Sequence, residues 1–256
     1  MNQVFDDTLH TMTLSEDGSY TAYSTEYEEH YHSTKDGALK ESLVKHVLPA
    51  FSIVNQLTEI NILDICYGLG FNTLATLLYV RENFPNKKIK IYSPELDSSL
   101  VKSLKNFTYP QEFECFREII IALSAEGIYE DEHTYIELFI GDAREYIKKF
   151  ENKFDIVYQD AFSPSTNPIL WTKEYFSDIK KCMKEEGVLT TYSIALKTRL
   201  ALYENGFKIY LNSGEDFRDA TIASFFELAR YEEVNMPHKI SCNKGVLSLR
   251  DATLLN

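Results

Sequence analysis

From Asn61 onward, short apolar runs alternate with helical patterns, and this alternation constrains the fold more than any other feature of the chain. The apolar runs are NILDI, KIKIYS, YIELFI, FDIVYQ and GVLTTYS. Stretches of helical pattern follow them, such as FNTLATLLYVREN and WTKEYFSDIKKCMK. Strands that alternate with helices at this spacing predict βαβ crossovers and an α/β fold on a parallel sheet. FKIYLN and ATIASFFEL are candidates for two closing strands, with an antiparallel arrangement as one option.

The first 55 residues have a different pattern. The apolar and polar residues of TMTL and SYTAYS flank the turn sequence SEDG, which predicts a hairpin. KDGALKESLVKHVLPAF predicts an amphipathic helix that ends near Pro49. We therefore expect an N-terminal cap of a hairpin and a helix over residues 1–55, a main domain over 56–230 and a C-terminal extension over 231–256.

Composition narrows the class of protein. The four cysteines among 256 residues form no CxxC pair, so neither a zinc site nor a disulfide framework is indicated, and we expect no metal. The N-terminal MNQVFDDTLHT lacks the regions of a signal peptide, and no apolar run approaches the roughly 18 residues that span a bilayer. These features favour a cytoplasmic protein without a membrane partner.

The acidic balance of the chain bears on its partners. A formal net charge of -13 disfavours extensive contact with a polyanion. It still permits a nucleic-acid substrate, because a catalytic module can rely on a few local phosphate contacts.

Polar residues stand where the predicted parallel strands end, which is the edge at which α/β sheets bind ligands. In LDICYGLGFN, Asp64 closes a strand, and Gly68 and Gly70 form a tight turn into a helix whose N-terminus offers free N–H groups. Such a turn is also compatible with a simple connection between strand and helix. Cys66 opens this turn, and we expect it to preserve the turn only with a negative φ.

Three more acids occupy equivalent positions. Glu95 ends the second strand, where a carboxylate can accept hydrogen bonds from both hydroxyls of a ribose, whereas Asp97 is better interpreted as a helix N-cap. Asp142 is compatible with binding an adenine amine or with a second N-cap. Asp160 stands before the proline-containing loop AFSPSTNP and is compatible with a catalytic carboxylate or a loop cap. Together with the glycine turn, these acids predict a nucleoside-binding site like that of a methyltransferase.

Four segments resemble a known family: EHYHSTKDGALKESLVKHV, GDAREYI, FDIVYQDAFSPSTNPILWTKEYF and GVLTTYS. They are similar to the methyltransferase domain of the MnmC-type tRNA-modifying enzymes, from about Tyr20 to Ser224. The pattern DAFSP..NP..W is the most specific part. The chain resembles the stand-alone form, without the flavin oxidase domain of the bifunctional members.

The resemblance implies a Rossmann-like class I methyltransferase fold, with a mostly parallel seven-stranded sheet and helices on both faces. It implies that S-adenosyl-L-methionine methylates the aminomethyl group at C5 of a tRNA wobble uridine. A separate enzyme would make that aminomethyl group. By the same resemblance, Asp160 and Phe162 would be catalytic, with Asp160 orienting the amine and accepting its proton. The residues expected to bind the cofactor are Tyr31, Glu41, Asp64, Tyr67, Gly68, Gly70, Asn72, Glu95, Asp142, Ala143 and Asp160.

Two alternatives stay open at this point. An aminopropyltransferase of the spermidine-synthase type shares the fold and an acid that deprotonates an amine, and the net charge of -13 suits a polyamine. A non-catalytic Rossmann-like binding protein would also explain a glycine turn that has replaced its first glycine. His30 and His32 are further candidate proton carriers, which we interpret as structural.

Overall fold

The computed structural model describes Phe5 and residues 9–254, which contain a three-stranded and a nine-stranded sheet. Parts of the predicted N-terminal cap and C-terminal extension, namely residues 1–4, 6–8 and 255–256, lie outside the described residues. The small sheet contains β1 (His10–Leu14), β2 (Tyr20–Ser24) and β3 (Glu29–His30). Because β1 pairs antiparallel with β2, the predicted hairpin is confirmed.

The large sheet is mixed and follows the order β12-β10-β11-β9-β8-β4-β5-β7-β6. Its strands are β4 (Glu59–Ile65), β5 (Lys88–Glu95), β6 (Ile128–Glu130), β7 (Thr134–Ile140), β8 (Phe154–Gln159), β9 (Met183–Thr191), β10 (Lys208–Gly214), β11 (Phe217–Ser224) and β12 (Glu232–Glu233). The five central strands are parallel, and β11 is antiparallel to both of its neighbours. The seven predicted strands are thus present.

Two short edge strands, β6 and β12, raise the number of strands to nine and were not predicted. The first of them forms because Gly127, with a φ of 72°, reverses the chain so that Ile128 and its neighbours pair with β7. Positive φ is readily adopted only by glycine. A helix that we also did not predict, Arg117–Glu126, ends at this glycine.

Helices cover both faces of the large sheet. They are α1 (Ala38–Ser42), α2 (Leu48–Val54), α3 (Phe71–Asn83), α4 (Ser98–Ser103), α5 (Arg117–Glu126), α6 (Ala143–Ile147), α7 (Lys173–Cys182), α8 (Leu196–Tyr203), α9 (Met236–Cys242) and α10 (Asp251–Leu254). Successive strand residues enter separate apolar clusters, as Ile62 and Leu63 do, because side chains alternate across a strand. Among the described residues, no helix is long and apolar enough to cross a membrane.

The prediction that the first helix ends near Pro49 is wrong. A π-helical turn, Leu43–Val47, follows α1 and leads directly into α2, which continues to Val54. Pro49 lies in the first turn of α2, directly after the π-helical turn, and the chain stays helical through the proline. The cap shares one apolar cluster with the main sheet, since Ala22 and Val47 pack in the same core as Ile62. The domain boundaries at 55 and 230 stay a prediction.

Candidate active site

A cleft of about 1300 Å³ opens at the carboxyl ends of the parallel strands, between the large sheet and the N-terminal cap. Most of the residues predicted to form the site line it: Tyr31, Glu41, Gly68, Glu95, Asp142, Ala143, Asp160 and Phe162. The other four, Asp64, Tyr67, Gly70 and Asn72, do not line the cleft. Asp64, Tyr67 and Asn72 are buried, and all four belong to the strand, turn and helix that support the lining residues.

The turn after β4 leaves no room for a side chain at its two glycines. A Cβ atom on Gly68 would lie 3.1 Å from Cδ1 of Tyr31, and one on Gly70 would lie 2.6 Å from the hydroxyl of Tyr67. Both glycines also have positive φ, of 53° and 78°. The turn therefore requires glycine at both positions, and it presents bare backbone to the cleft at Gly68.

Cys66 also adopts the left-handed conformation, with a φ of 65°, so the expectation of a negative φ was wrong. The neighbouring Tyr67 N–H donates to the carbonyl of Pro94 at 3.1 Å, and the Gly70 N–H donates to the carbonyl of Tyr67 at 2.8 Å. These bonds hold the turn in one shape, at a cost of about 1–2 kcal/mol for the non-glycine residue. The turn thus retains its conformation without its first glycine.

Glu95 connects the glycine turn after β4 with the residue that caps α4. Its carboxylate accepts hydrogen bonds of 2.9 Å from the N–H groups of Gly68 and Asp97. Burial raises the pKa of Glu95, while these two bonds oppose the rise. Asp97 is the N-cap of α4, as predicted, because its side chain accepts from the N–H groups of Ser99 and Leu100. Each oxygen of Glu95 keeps a further lone pair that can accept from a hydroxyl group.

Asp142 lies at the cleft and caps a helix. Its Oδ1 accepts hydrogen bonds from the backbone N–H groups of Arg144 and Glu145, at 2.6 and 3.3 Å. The N-cap interpretation is therefore confirmed, and Asp142 and Ala143 still line the cleft. A contact of Asp142 with adenine stays a prediction.

The side-chain amide of Asn72 connects Asp160, which lines the cleft, with Asp64, which is buried beneath it. The side-chain nitrogen of Asn72 donates to Asp160 at 2.8 Å and lies 3.5 Å from Asp64. Burial raises the pKa of Asp64 to about 7, an effect that the Thr73 hydroxyl opposes and the charge of Asp160 increases. Burial would also raise the pKa of Asp160 and is the largest single influence on it, but His46 and the charge of His32 together outweigh burial and leave this pKa below its usual value. The pair therefore contains one carboxylate that is ionised at neutral pH and one that is partly protonated.

Backbone contacts hold the loop that follows Asp160. The hydroxyl of Tyr192 donates to the carbonyl of Ala161 at 2.9 Å, and the indole nitrogen of Trp171 donates to the carbonyl of Phe162 at 2.8 Å. Both bonds fix the peptide groups on either side of Phe162. The tryptophan of the DAFSP..NP..W pattern therefore anchors the loop from the buried side.

Phe162 takes part in an aromatic cluster at the mouth of the cleft. Its ring stacks on Tyr27, with centroids 4.6 Å apart and planes inclined by 20°, and it contacts Tyr31 at 5.0 Å. All three side chains are partly exposed and line the cleft. Such a surface can stack against a flat aromatic ligand.

Glu41 is held in a charged cluster at the edge of the cleft. It accepts hydrogen bonds from the ammonium of Lys45 at 2.5 Å and from the N–H of Ser33 at 2.7 Å, and Nδ1 of His32 lies 3.7 Å away. Burial would raise the pKa of Glu41, but His32 and Lys45 hold it well below its usual range. Glu41 therefore remains ionised and connects α1 to the segment between β3 and α1.

Two histidines considered as proton carriers lie in different surroundings. Both line the cleft, but His30 is exposed and contacts the edge of Tyr23, whereas His32 is buried beside Glu41. The residue that we missed is His46, which is fully buried and places Nε2 at 3.3 Å from Oδ1 of Asp160. The proline inside the helical pattern three residues later was a possible signal, because proline often marks an irregular helix.

The fold and the cleft together define the class. β4 and β8 are parallel neighbours at the point where the order of strands along the chain reverses, and Asp64 and Asp160 lie at or near their carboxyl ends. The glycine turn, the acid of the second strand and the cleft volume suit a cofactor that contains a nucleoside. The chain is a Rossmann-like S-adenosylmethionine-dependent methyltransferase.

Comparison with known proteins gives the family. A family model described as an S-adenosyl-L-methionine-dependent methyltransferase matches residues 111–223. The crystal structure of MnmC2 from Aquifex aeolicus superposes with a TM-score of 0.84, is 32% identical, and covers 98% of this chain and 81% of that chain. The chain belongs to the MnmC2 family, the MnmC-type methyltransferases.

Two curated relatives are longer than this chain. An uncharacterized protein of Methanocaldococcus jannaschii is 36% identical over 204 residues, which are 78% of this chain and 55% of that protein. The tRNA 5-methylaminomethyl-2-thiouridine biosynthesis bifunctional protein MnmC of Azoarcus is 28% identical over 220 residues, 78% of this chain and 33% of that protein. The chain thus matches about half of the first relative and about a third of the second.

Proposed function

We propose that this methyltransferase methylates the aminomethyl group at C5 of the wobble uridine of tRNA, giving 5-methylaminomethyluridine or its 2-thio form. The observation that carries the proposal is the carboxylate of Asp160, which lines the cleft beside Phe162 and is held by Asn72. The name of the Azoarcus relative, a tRNA 5-methylaminomethyl-2-thiouridine biosynthesis protein, supports the choice of substrate.

The cofactor site is assigned to the glycine turn and the acids around it. Bound S-adenosyl-L-methionine supplies a methyl group on a sulfonium, whose charge already activates the leaving group. Glu95 would accept hydrogen bonds from the ribose, Gly68 would line the methionine end, and Asp142 with Ala143 would border the adenine. The residues beneath the cleft would hold the turn and Asp160 in place. They are Asp64, Tyr67, Gly70 and Asn72.

Asp160 prepares the amine. An alkylamine is largely protonated at neutral pH, and its nitrogen then has no lone pair with which to attack. The ionised carboxylate of Asp160 attracts the ammonium, takes its proton and relays it to solvent, and keeps the neutral nitrogen directed into the cleft. The low pKa of Asp160 favours binding of the cation, because the carboxylate is charged at neutral pH.

The aromatic cluster would receive the base. A wobble nucleotide must leave its stack to enter a cleft, and aromatic side chains stabilise an unstacked base. Phe162, two residues after Asp160, stacks on Tyr27 at the mouth of the cleft, and both rings are partly exposed. Arg218, exposed at the rim of the same cleft, is suited to contact a phosphate.

The substrate also implies partners. Because the methyl acceptor is an aminomethyl group, a separate enzyme must first attach that group to the uridine. A tRNA substrate further places the activity in the cytoplasm.

Incubation with S-adenosyl-L-methionine carrying a labelled methyl group and tRNA carrying 5-aminomethyluridine tests the proposal. We expect label in the wobble nucleoside with the wild type and a loss of about a hundredfold or more in Asp160→Asn. Asp178→Asn, partly exposed on α7, paired with Lys181 and outside the cleft, is the matched control and should retain activity. Absence of label in the tRNA, or undiminished transfer by Asp160→Asn, would contradict the proposal.

The same assay separates the two alternatives. An aminopropyltransferase would transfer label from decarboxylated S-adenosylmethionine to a polyamine and leave the tRNA unlabelled. A non-catalytic binding protein would show no transfer to either acceptor. Membership of a methyltransferase family speaks against both.

A further inference from the structure

His46 lies directly behind Asp160, in a turn of unusual geometry. It belongs to the π-helical turn Leu43–Val47, between α1 and α2. Its ring is fully buried and meets the ring of Tyr158 edge-on, with centroids 5.6 Å apart. Single π turns inside helices occur frequently at functional sites, because the additional residue redirects side chains. Here both Lys45 and His46 are buried within this one turn.

The two ring nitrogens of His46 have different surroundings. Nδ1 lies 3.0 Å from the hydroxyl of Thr190 on β9, which fixes the plane of the ring. Nε2 lies 3.3 Å from Oδ1 of Asp160, at ion-pair distance. Among the described residues, this nitrogen makes no hydrogen bond of good geometry, although it is completely buried. A buried ring nitrogen in this state needs a partner, and Asp160 is within reach.

Asp160 therefore lies between the side chains of Asn72 and His46. Asn72 donates to Oδ2 at 2.8 Å, and His46 faces Oδ1. A carboxylate held at both oxygens has a fixed plane, and its remaining lone pairs are available to a ligand in the cleft. For Nε2 to donate, either Nδ1 must accept a hydrogen bond from the hydroxyl of Thr190, or the ring must carry both protons.

We propose that His46 is a positioning residue for Asp160. Nε2 of His46 donates a hydrogen bond to Oδ1 of Asp160, which orients the carboxylate toward the cleft and keeps it ionised. This inference rests on the proposed function, in which Asp160 receives the amine. His46 does not line the cleft, so it acts through Asp160 and not on the substrate.

Other charged groups also face Asp160. His32, which precedes α1, lowers the pKa of Asp160, and Glu41 on α1 raises it. Asp64 on β4 shares the amide of Asn72 with Asp160. The effect of His46 must therefore be measured with these groups intact, by substituting His46 alone.

A titration of the full chain measures this effect without any activity assay. The protein is labelled with ¹³C at the aspartate carboxyl groups, and the Asp160 resonance is identified by its absence in Asp160→Asn. We expect the titration midpoint of Asp160 to move up by about one pH unit or more in His46→Leu. The shift should be smaller in His46→Gln, because an amide still donates a hydrogen bond but carries no charge. His238→Leu, exposed on α9, should leave the midpoint unchanged.

Kinetics provide a second measurement. In His46→Leu, the acidic limb of the pH profile of kcat/KM should move up together with the midpoint. At neutral pH, kcat/KM should fall about tenfold, the loss expected for one hydrogen bond to a charged group. Calorimetric affinity for S-adenosyl-L-methionine should stay the same.

The outcomes separate the two proposals. If His46→Leu does not fold, His46→Gln and Thr190→Val replace it. Thr190→Val should raise the titration midpoint of Asp160, because the His46 ring then loses the contact at Nδ1. An unchanged Asp160 midpoint in the folded variants overturns the role of His46. If the midpoint shifts in the variants but the wild-type protein transfers no methyl group to tRNA, the role of His46 stands and the proposed function is contradicted.

Discussion

The carboxylate of Glu95 accepts a hydrogen bond of 2.9 Å from the backbone N–H of Gly68, so the end of β5 and the turn after β4 are joined directly. The other oxygen of Glu95 accepts from the N–H of Asp97 at 2.9 Å. One side chain thus holds the turn on one side of the cleft and the start of α4 on the other. The geometry of the proposed cofactor site depends on this acid even before a ligand enters.

The first prediction concerns the binding of S-adenosyl-L-methionine. Glu95→Ala leaves the N–H groups of Gly68 and Asp97 without their acceptor and removes the proposed ribose contact. We expect its affinity, measured by calorimetric titration, to fall by at least about tenfold, since a hydrogen bond to a charged group contributes about 1.5–3 kcal/mol. Glu130→Gln, at the far edge of the sheet on β6, is the control and should bind as the wild type does. Equal affinity of Glu95→Ala and wild type would remove Glu95 from the site.

The second prediction tests the conformation of Cys66. Both Cys66→Gly and Cys66→Ala remove the thiol, but only alanine keeps a Cβ atom at a φ of 65°. The glycine variant should therefore be the more stable of the two by about 1 kcal/mol. Urea denaturation of both variants measures the difference. An alanine variant as stable as the glycine variant would show that the left-handed conformation is not strained.

The third prediction concerns pH and the buried Asp64. Its pKa is about 7 in the folded chain, and about 3.9 is usual for an unfolded aspartate. Between these values the folded state binds a proton that the unfolded state does not. This group therefore makes the free energy of unfolding fall as pH rises, by up to about 1.4 kcal/mol per pH unit.

Asp64→Asn isolates this contribution. Its side-chain oxygen can still accept from Thr73, and it does not titrate. Relative to wild type, the variant should gain stability between pH 5 and pH 8 in urea denaturation. Asp178→Asn serves as the surface control. A difference between Asp64→Asn and wild type that does not change with pH would contradict a raised pKa.

The fourth prediction tests the aromatic cluster. Tyr27→Leu removes the ring that stacks on Phe162 but leaves Asp160 and Glu95 unchanged. We expect the KM for tRNA to rise about tenfold, because stacking of a base on an aromatic ring contributes about 1–3 kcal/mol. Binding of S-adenosyl-L-methionine should not change. Tyr203→Leu, on α8 and outside the cleft, is the control. An unaltered KM in Tyr27→Leu would place the base elsewhere.

The sequence predicted much of the cleft because strand ends are visible in the pattern of apolar residues. Once Asp64, Glu95 and Asp160 were placed at or next to the ends of parallel strands, they had to meet at one edge of the sheet. The hydrogen bond between Gly68 and Glu95 follows from that arrangement. The resemblance to the family added Phe162 and its loop, which lie beside Asp160 as expected.

Other features depended on contacts between distant segments. Pro49 indicated a helix end, yet a π-helical turn before it allowed the helix to continue and brought His46 against Asp160. The pKa values of Asp64 and Asp160 move in opposite directions because only one of them faces His46. Local sequence contains no information on which of the two acids will lie beside His46.

The sequence by itself thus determined the α/β fold, the edge of the sheet at which the site forms and the acids that stand there, since apolar periodicity and chain order fix these. The tertiary structure alone decided which candidates line the cleft, which lie beneath it and which carboxylate stays ionised. Burial and charge at Asp160 depend on Asn72 and His46, residues far from it in the chain that only folding brings within hydrogen-bonding or ion-pair distance.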